Sequence, residues 1–251
     1  MFKTIEVVRG SRVAVIWLSR PEVHNALNEV IVKELTQAID ESAHDAQINA
    51  IVLASRGDSF CSGTDLNWCR TALDGESGAA DAMTTALARM LKAIETSPVP
   101  VIARVNGHCV GAGVGLVAAA DIAVASHDAE FTQAETRLGL TPNLVAPYLS
   151  RAIGVRSACR WLVTGETFSA AEAWRLGLIH EICDASELDA KINGILGHLM
   201  TAEPSAVKAT RALLKSLSEN DKPAFEPALA REGVSAFLEK RWPSWAPEEL
   251  K

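Results

Sequence analysis

A glycine-rich turn that runs directly into an alanine-rich segment is the stretch of this sequence best suited to chemistry. Gly107, Gly111, Gly113 and Gly115 lie in the turn, and residues 116–120 predict a buried helix. Glycine has no Cβ, so a ligand atom can approach the backbone closely. The first N–H groups of a helix lack intrahelical partners, and the helix dipole favours negative charge beside them. The turn is therefore suited to a bound anion, or to an oxyanion that forms during a reaction.

A second loop of the same kind lies earlier in the chain. Residues 60–66, with the sequence FCSGTDL, follow a predicted strand and precede a predicted short helix. Two such loops in one domain can direct two N–H groups at a single carbonyl oxygen. Two donors that polarise a thioester carbonyl stabilise an enolate, which reactions at the α or β carbon require.

Other interpretations of these residues stay open at this point. Gly111 and Gly113 could serve only the close packing of a helix against its neighbours. Glu135, a candidate acid or base, could instead close a capping box with Thr132, because their spacing matches that motif. The dinucleotide fingerprint G-x-G-x-x-G is not met, since position 116 is Leu116.

The elements that would position the two loops alternate between strands and helices. Residues 3–8 and 13–18 predict the two strands of a hairpin, and residues 50–54 and 99–105 predict strands that are largely apolar. Apolar positions at helical spacing lie between these strands. The alternation predicts an α/β domain with a mainly parallel sheet.

Helices dominate the sequence beyond Asp121, and the last of them is predicted over residues 225–237. Asn28 and Ser169 are predicted to cap the helices that follow them. Thr141 with the proline after it predicts a further helix start, because proline is favoured at the first helical position.

Composition excludes several classes of protein. The chain has 251 residues, 48% of them hydrophobic, which is enough for one or two domains with a sizeable core. A net charge of −7 argues against a nucleic-acid binder, and no apolar run is long enough to cross a membrane. The five cysteines include no CxxC pair and the histidines no HxxxH pair, so neither a metal nor a redox cofactor is expected. The N-terminus has no signal core, so a cytoplasmic location is expected.

Motifs spread along the whole chain resemble those of the crotonase superfamily, the enoyl-CoA hydratase/isomerase fold. The matching stretches are RPEVHNAL (20–27), FCSGTDL (60–66), PVIARVNG (100–107), GAG (111–113), DIAV (121–124), QAE (133–135) and LVTGE (162–166). They occur in the family's order and nearly cover the chain. Residues 65–68 and 113–116 are further similar to bacterial 3-methylglutaconyl-CoA hydratase-like members.

The resemblance implies a fold, a substrate and an assembly. The fold is an α/β crotonase-like spiral of ββα units over residues 1–195, with a C-terminal helical trimerisation region over residues 196–251. The partner is an acyl-CoA substrate, with no nucleic acid and no membrane, and no cofactor is needed beyond the coenzyme A thioester itself. A homotrimer or a dimer of trimers is expected.

The resemblance also implies roles for individual residues. The backbone amides of Thr64 and Ala112 form the oxyanion hole, and Glu135 is the catalytic acid/base. Lys240 is expected to meet a phosphate of coenzyme A, within its own subunit or across a subunit interface, although a solvated charged surface would explain it equally well. The residues expected to line the substrate and coenzyme A are His24, Ala26, Ser62, Thr64, Asp65, Leu66, Ala112 and Gly115.

Gly115 departs from the family's pattern, because full hydratases usually carry a second catalytic glutamate there. The space beside Gly115 could instead receive a branch or a distal carboxylate of the substrate. Hydration of a branched or carboxylated enoyl-CoA, by a lyase, is the first expectation. Double-bond isomerisation, decarboxylation and an inactive acyl-CoA-binding scaffold are the alternatives.

Overall fold

The computed structural model describes residues 2–216 and 227–247. Within them the strands, in chain order, are β1 (Ile5–Arg9), β2 (Val13–Leu18), β3 (Ala50–Ser55), β4 (Ser59–Cys61), β5 (Val101–Val105), β6 (His108–Val110), β7 (Ile122–Ser126), β8 (Glu130–Thr132), β9 (Thr167–Ser169) and β10 (Glu181–Cys183). The helices are α1 (Glu29–His44), α2 (Leu66–Asp74), α3 (Ala79–Thr96), α4 (Ala112–Ala119), α5 (Ala146–Ile153), α6 (Val155–Thr164), α7 (Ala170–Leu176), α8 (Leu188–Thr201), α9 (Pro204–Ser216) and α10 (Pro227–Leu238).

Two sheets organise the core. The larger has the order β1-β2-β3-β5-β7-β10, and it is parallel except for the β1–β2 hairpin. The smaller has the order β4-β6-β8-β9, and β9 alone runs antiparallel to its neighbour. The prediction of an α/β domain with a mainly parallel sheet is confirmed. The smaller sheet matters most for function, because its strands lead into the loops with candidate chemistry.

The burial patterns of the predicted strands agree with their positions in the sheet. β2 alternates between buried and half-buried residues, as expected of a strand with one face on the core, and its bounds agree with the prediction. β3 is buried along its whole length, which suits a central strand of a parallel sheet. The side chains between the sheets and α1, α3 and α4 form one large apolar cluster.

The predicted helix caps have mixed outcomes. The Asn28 side chain accepts a hydrogen bond from the N–H of Ile31 at 3.1 Å, and Ser169 caps α7 through the N–H of Glu172. The prediction of a helix start at Thr141 is wrong. The chain turns there instead, and α5 begins only at Ala146.

Helix α4 is enclosed on all sides, and its residues from Ala112 to Ala119 are all buried. At its far end Asp121 accepts a hydrogen bond from the N–H of Val101 at 2.8 Å. The same carboxylate pairs with Arg211 of α9 at 2.7 Å, and this guanidinium also bonds the carbonyl of Ile94. Asp121 thus has a structural role, because it ties α9 to the core.

The C-terminal part is helical, and α10 agrees with the predicted last helix. Residues 225 and 226 of that prediction lie outside the described residues. The predicted boundary between the α/β core (residues 1–195) and the C-terminal helical region (residues 196–251) falls inside helix α8. Over the residues that the structure describes, no helix combines the length and apolar character needed to cross a membrane.

Candidate active site

The first candidate donor is the N–H of Thr64, in the loop between β4 and α2. The preceding Gly63 has a φ of +88°, a conformation that residues with a Cβ rarely adopt. Leu27 clamps the loop from the other side: its N–H bonds the Gly63 carbonyl at 2.7 Å, and its carbonyl accepts the N–H of Asp65 at 2.9 Å. Between these two bonds, the Thr64 N–H donates to no protein group of the described chain.

The second candidate donor is the N–H of Ala112, the first residue of α4. Gly111 precedes it with a φ of +53°, and the Gly111 N–H bonds the carbonyl of Thr132 at 2.9 Å. The first bond of the helix runs from the N–H of Gly115 to the carbonyl of Gly111. The Ala112 N–H therefore has no intrahelical partner, as expected at a helix N-terminus.

The two donor loops touch each other, and glycine makes the contact possible. A Cβ on Gly63 would lie 2.8 Å from the Val110 carbonyl oxygen and 3.6 Å from the Ala112 nitrogen. A Cβ on Gly113 would lie 2.6 Å from the carbonyl oxygen of Cys61. The structure thus brings Thr64 and Ala112 together, although 48 positions separate them in the sequence.

The carboxyl group of Glu135 lies over the second donor turn. A Cβ built on Gly111 would be 3.1 Å from Oε1 of Glu135, whereas Oε2 is buried and has no hydrogen-bond partner. Burial raises the pKa of the Glu135 carboxyl, and a hydrogen bond with the residue's own backbone opposes this only in part. A carboxyl with one unpaired oxygen and a raised pKa is suited to proton transfer.

The capping-box interpretation of Glu135 is wrong in this structure. Thr132 ends strand β8, and its hydroxyl bonds the hydroxyl of Thr167 on β9 at 2.8 Å. The short 3₁₀ helix Glu135–Leu138 begins after Ala134, where no side chain caps it. Because Thr132 pairs within a sheet, it is not available to cap a helix.

Gln133 holds the second donor turn in place, a role that the sequence did not reveal. Its side chain is buried, and its Nε2 donates to the Gly111 carbonyl at 3.0 Å. That carbonyl and the Ala112 N–H belong to the same peptide group, so the bond fixes the direction of the donor. Spacing alone gives no signal for such a contact, since it depends on how β8 meets α4.

The expectation of open space beside Gly115 needs correction. A Cβ on Gly115 would lie 3.1 Å from Cγ2 of Val145 and 3.2 Å from Cδ1 of Leu91. Both side chains are almost fully buried. Apolar side chains therefore already pack closely against the position from which a side chain at residue 115 would extend.

His24 and Ala26 lie in a tightly bonded loop beside the first donor. His24 has a φ of +50°, and its Nδ1 is 3.1 Å from the hydroxyl of Ser59 and 3.5 Å from the carboxylate of Asp58. The carbonyl of Ala26 accepts a hydrogen bond from the guanidinium of Arg20. The Arg20 bond fixes the shape of residues 20–27, and the contacts of His24 and Leu27 hold this loop against residues 59–65, beside Thr64.

The other predicted contact residues of this region lie in the loop itself. The Ser62 hydroxyl donates to the carbonyl of Val23 at 3.3 Å. Asp65 caps α2 and lies 3.7 Å from the guanidinium of Arg20. Leu66 opens α2 and is largely exposed. Their contacts with coenzyme A stay predictions.

Lys240 lies apart in the chain, just after α10, with a φ of +55° and an exposed side chain. Its contact with a phosphate also stays a prediction. Across residues 2–216 and 227–247, no group of three or more His, Cys, Asp or Glu side chains is arranged to hold a metal ion.

Comparisons with known proteins identify the family of this chain. The family model described as enoyl-CoA hydratase/isomerase matches residues 9–248. A Rhodobacter capsulatus protein named "Probable enoyl-CoA hydratase" is 36% identical over 96% of this chain and 97% of its own length. The trans-2-decenoyl-[acyl-carrier-protein] isomerase of Streptococcus mutans is 28% identical over 97% of this chain and 98% of its own. The crystal structure of an enoyl-CoA hydratase from Shewanella pealeana superposes with a TM-score of 0.91 and 31% identity, covering 97% of this chain and 96% of that one.

The fold and these relatives place the protein in the crotonase class of enzymes. The chain belongs to the enoyl-CoA hydratase/isomerase family.

Proposed function

We propose that this protein stabilises the enolate of an acyl-CoA thioester and moves a proton at its α carbon. The N–H groups of Thr64 and Ala112 receive the thioester oxygen, and Glu135 is the acid/base. The observation that carries the proposal is the Glu135 carboxyl, which stands over the donor turn with one oxygen buried and unpaired. A carboxyl group in such a place destabilises the fold unless a bound substrate uses it.

The reaction that we assign first is hydration of an α,β-unsaturated enoyl-CoA, as the names of several relatives suggest. Glu135 takes a proton from water as the oxygen of that water adds to the β carbon. The same carboxyl then delivers a proton to the α carbon, and the two donors hold the negative charge on the thioester oxygen in between.

Isomerisation of a β,γ-enoyl thioester is the second candidate, and the surroundings of Gly115 favour it. The side chains next to Gly115 are the apolar ones of Val145 and Leu91, so no second carboxylate at this position orients a water molecule. Moving a double bond needs only one base, which removes a proton from the α carbon and returns one to the γ carbon. The isomerase from Streptococcus mutans supports this alternative.

A branched or carboxylated acyl group, as in 3-methylglutaconyl-CoA, is part of the hydration proposal. The packing at Gly115 means that such a branch would lie elsewhere in the site.

Absorbance of the conjugated enoyl thioester separates these functions. Loss of the band with uptake of water indicates hydration, and its appearance from a β,γ-enoyl-CoA indicates isomerisation. Free coenzyme A and acetyl-CoA should also raise the melting temperature by mass action. If neither turnover nor a thermal shift occurs with millimolar acyl-CoA thioesters, the proposal is wrong. A thermal shift without turnover, across a panel of acyl-CoA substrates, would indicate a scaffold.

We also propose that the protein assembles as a homotrimer or a dimer of trimers. Support comes from the C-terminal part, where the apolar side chains of Val234, Phe237, Leu238 and Trp242 are exposed in the single chain. Exposed apolar groups of this number commonly mark an interface. A monomer in light scattering at micromolar concentration would contradict this assembly.

A further inference from the structure

Cys61 lies where three segments of the candidate site meet. It is the last residue of β4, and its side chain is fully buried. One side faces the loop that contains Asn25, another faces the Thr64 loop, and a third faces the first turn of α4. The sequence presents this residue only as a small side chain at the end of a strand.

Hydrogen bonds join the thiol to two of these segments. The Cys61 Sγ–H donates to the carbonyl of Asn25 at 3.3 Å, and Sγ accepts the N–H of Gly63 at 3.4 Å. Asn25 is itself anchored, because its Nδ2 donates to the carbonyl of Ser59 at 2.9 Å. The thiol therefore links a buried, well-bonded loop to the residue immediately before the Thr64 donor.

Packing joins the same side chain to the other donor. A Cβ on Gly113 would lie 2.9 Å from Cβ and 3.2 Å from Sγ of Cys61, so α4 rests directly on this residue. Gly113 immediately follows Ala112. Cys61 thus contacts the neighbour of each oxyanion donor, one by a hydrogen bond and one by van der Waals contact.

We propose that Cys61 is a positioning residue that sets the separation between the N–H groups of Thr64 and Ala112. The inference rests on the proposed function of those two groups. The thiol acts as a spacer of fixed size, and its hydrogen bond to Gly63 prevents the first donor from moving relative to α4. Two donors stabilise one oxyanion only if both reach it at hydrogen-bond distance, so a small change in their separation lowers the rate.

The buried environment of Cys61 keeps its thiol protonated, as its hydrogen bond to the Asn25 carbonyl requires. Burial raises the pKa of the Cys61 thiol to about 12. The group therefore stays protonated at neutral pH, and its hydrogen remains available for the Asn25 carbonyl. A thiolate could accept from Gly63 but could not donate.

Two substitutions test the role of the thiol, and a neighbouring cysteine supplies the control. Cys61→Ala removes both the spacer and its bonds, whereas Cys61→Ser keeps a donor and an acceptor. Cys109→Ala removes an equally buried thiol from the facing position on β6, which is paired with Cys61. The readouts are kcat, KM and the absorption band of a bound cinnamoyl-CoA with an electron-donating ring substituent. That band moves to longer wavelength when its carbonyl is polarised.

Cys61→Ala is expected to lower kcat by about tenfold to a hundredfold with less than a threefold change in KM, and to reduce the red shift of the bound probe. Cys61→Ser should recover at least part of both, and Cys109→Ala should change neither. Wild-type turnover and red shift that persist unchanged in folded Cys61→Ala would overturn the inference, as would an equal loss in Cys109→Ala. If Cys61→Ala does not fold, a Cys61→Ser protein with wild-type stability but no red shift overturns it as well. A wild-type protein that neither turns over enoyl-CoA nor shifts the probe would instead refute the proposed function.

Discussion

Replacing Glu135 by Gln separates a catalytic carboxyl from a structural one, because the two roles predict opposite changes in stability. The substitution keeps the size of the side chain but removes the transferable proton. Loss of a general acid/base commonly lowers the rate by about a hundredfold to ten-thousandfold. We expect a loss of that size in kcat, measured by the absorbance of the enoyl thioester, with a smaller change in KM.

The stability change follows from the environment of the carboxyl. Oε2 is buried without a partner, and burial raises the pKa of Glu135 above the usual value of 4.5. The folded state therefore binds this proton more tightly than the unfolded state does. The contribution of this proton to stability is fully present below the unfolded pKa, and it is lost as pH rises through the folded pKa.

At a pH above the folded-state pKa, the wild type thus holds an ionised, poorly solvated carboxylate that the variant lacks. We expect Glu135→Gln to be more stable than the wild type at pH 8 by about 1 kcal/mol, which is roughly 2–4 °C in melting temperature for a chain of this size. The gain should shrink as pH falls toward 4, where the wild-type group is protonated. A structural carboxyl would give a loss of about 1 kcal/mol instead.

The assay compares kcat and melting temperature of the two proteins at pH 8 and near pH 4.5. Glu130→Gln is the matched control, because Glu130 lies on the same segment but is exposed. It should leave kcat within about twofold of the wild type. A Glu135→Gln protein that keeps its activity and loses stability would refute the reasoning.

Three further predictions address the other parts of the site and its support. Ala112→Pro removes one oxyanion donor and should lower kcat by about 100-fold to 1,000-fold, whereas Ala112→Gly keeps the N–H and should stay within about tenfold; equal activities would reject the donor assignment. Gly115→Glu should lower the melting temperature by several degrees without accelerating the hydration of crotonyl-CoA, since its side chain must displace Val145 and Leu91. A variant that is both stable and faster would show that Val145 and Leu91 can move aside. Arg211→Ala should cost about 2–3 kcal/mol in urea unfolding, because it removes the cation paired with the partly buried Asp121 and the hydrogen bonds to the carbonyls of Ile94 and Glu95. A cost below about 0.5 kcal/mol would argue against its role in tying α9 to the core.

Several features of this protein follow from local sequence. The bounds of β2 agree with the prediction because alternation of apolar residues has the same period as a strand. The caps at Asn28 and Ser169 form because each side chain reaches an N–H only three residues away. The glycines at 63 and 111 likewise adopt the positive φ that a turn opening a helix requires. Motifs of this local kind also carried the resemblance to the family, which the comparisons confirmed.

Other features were decided by tertiary contacts between distant segments. Because β8 pairs with β9, the Thr132 hydroxyl bonds Thr167 and forms no capping box with Glu135. The Glu135 carboxyl lies over the donor turn instead. The surroundings of Gly115 depend on Val145 and Leu91, which helix packing brings to it from either side of the sequence. The sequence pattern of one segment cannot predict these contacts, because hydrogen-bond partners and close packing depend on which distant segments the fold brings together. The sequence alone thus determined which groups are able to do chemistry, and the tertiary structure decided which of them stand free to do it.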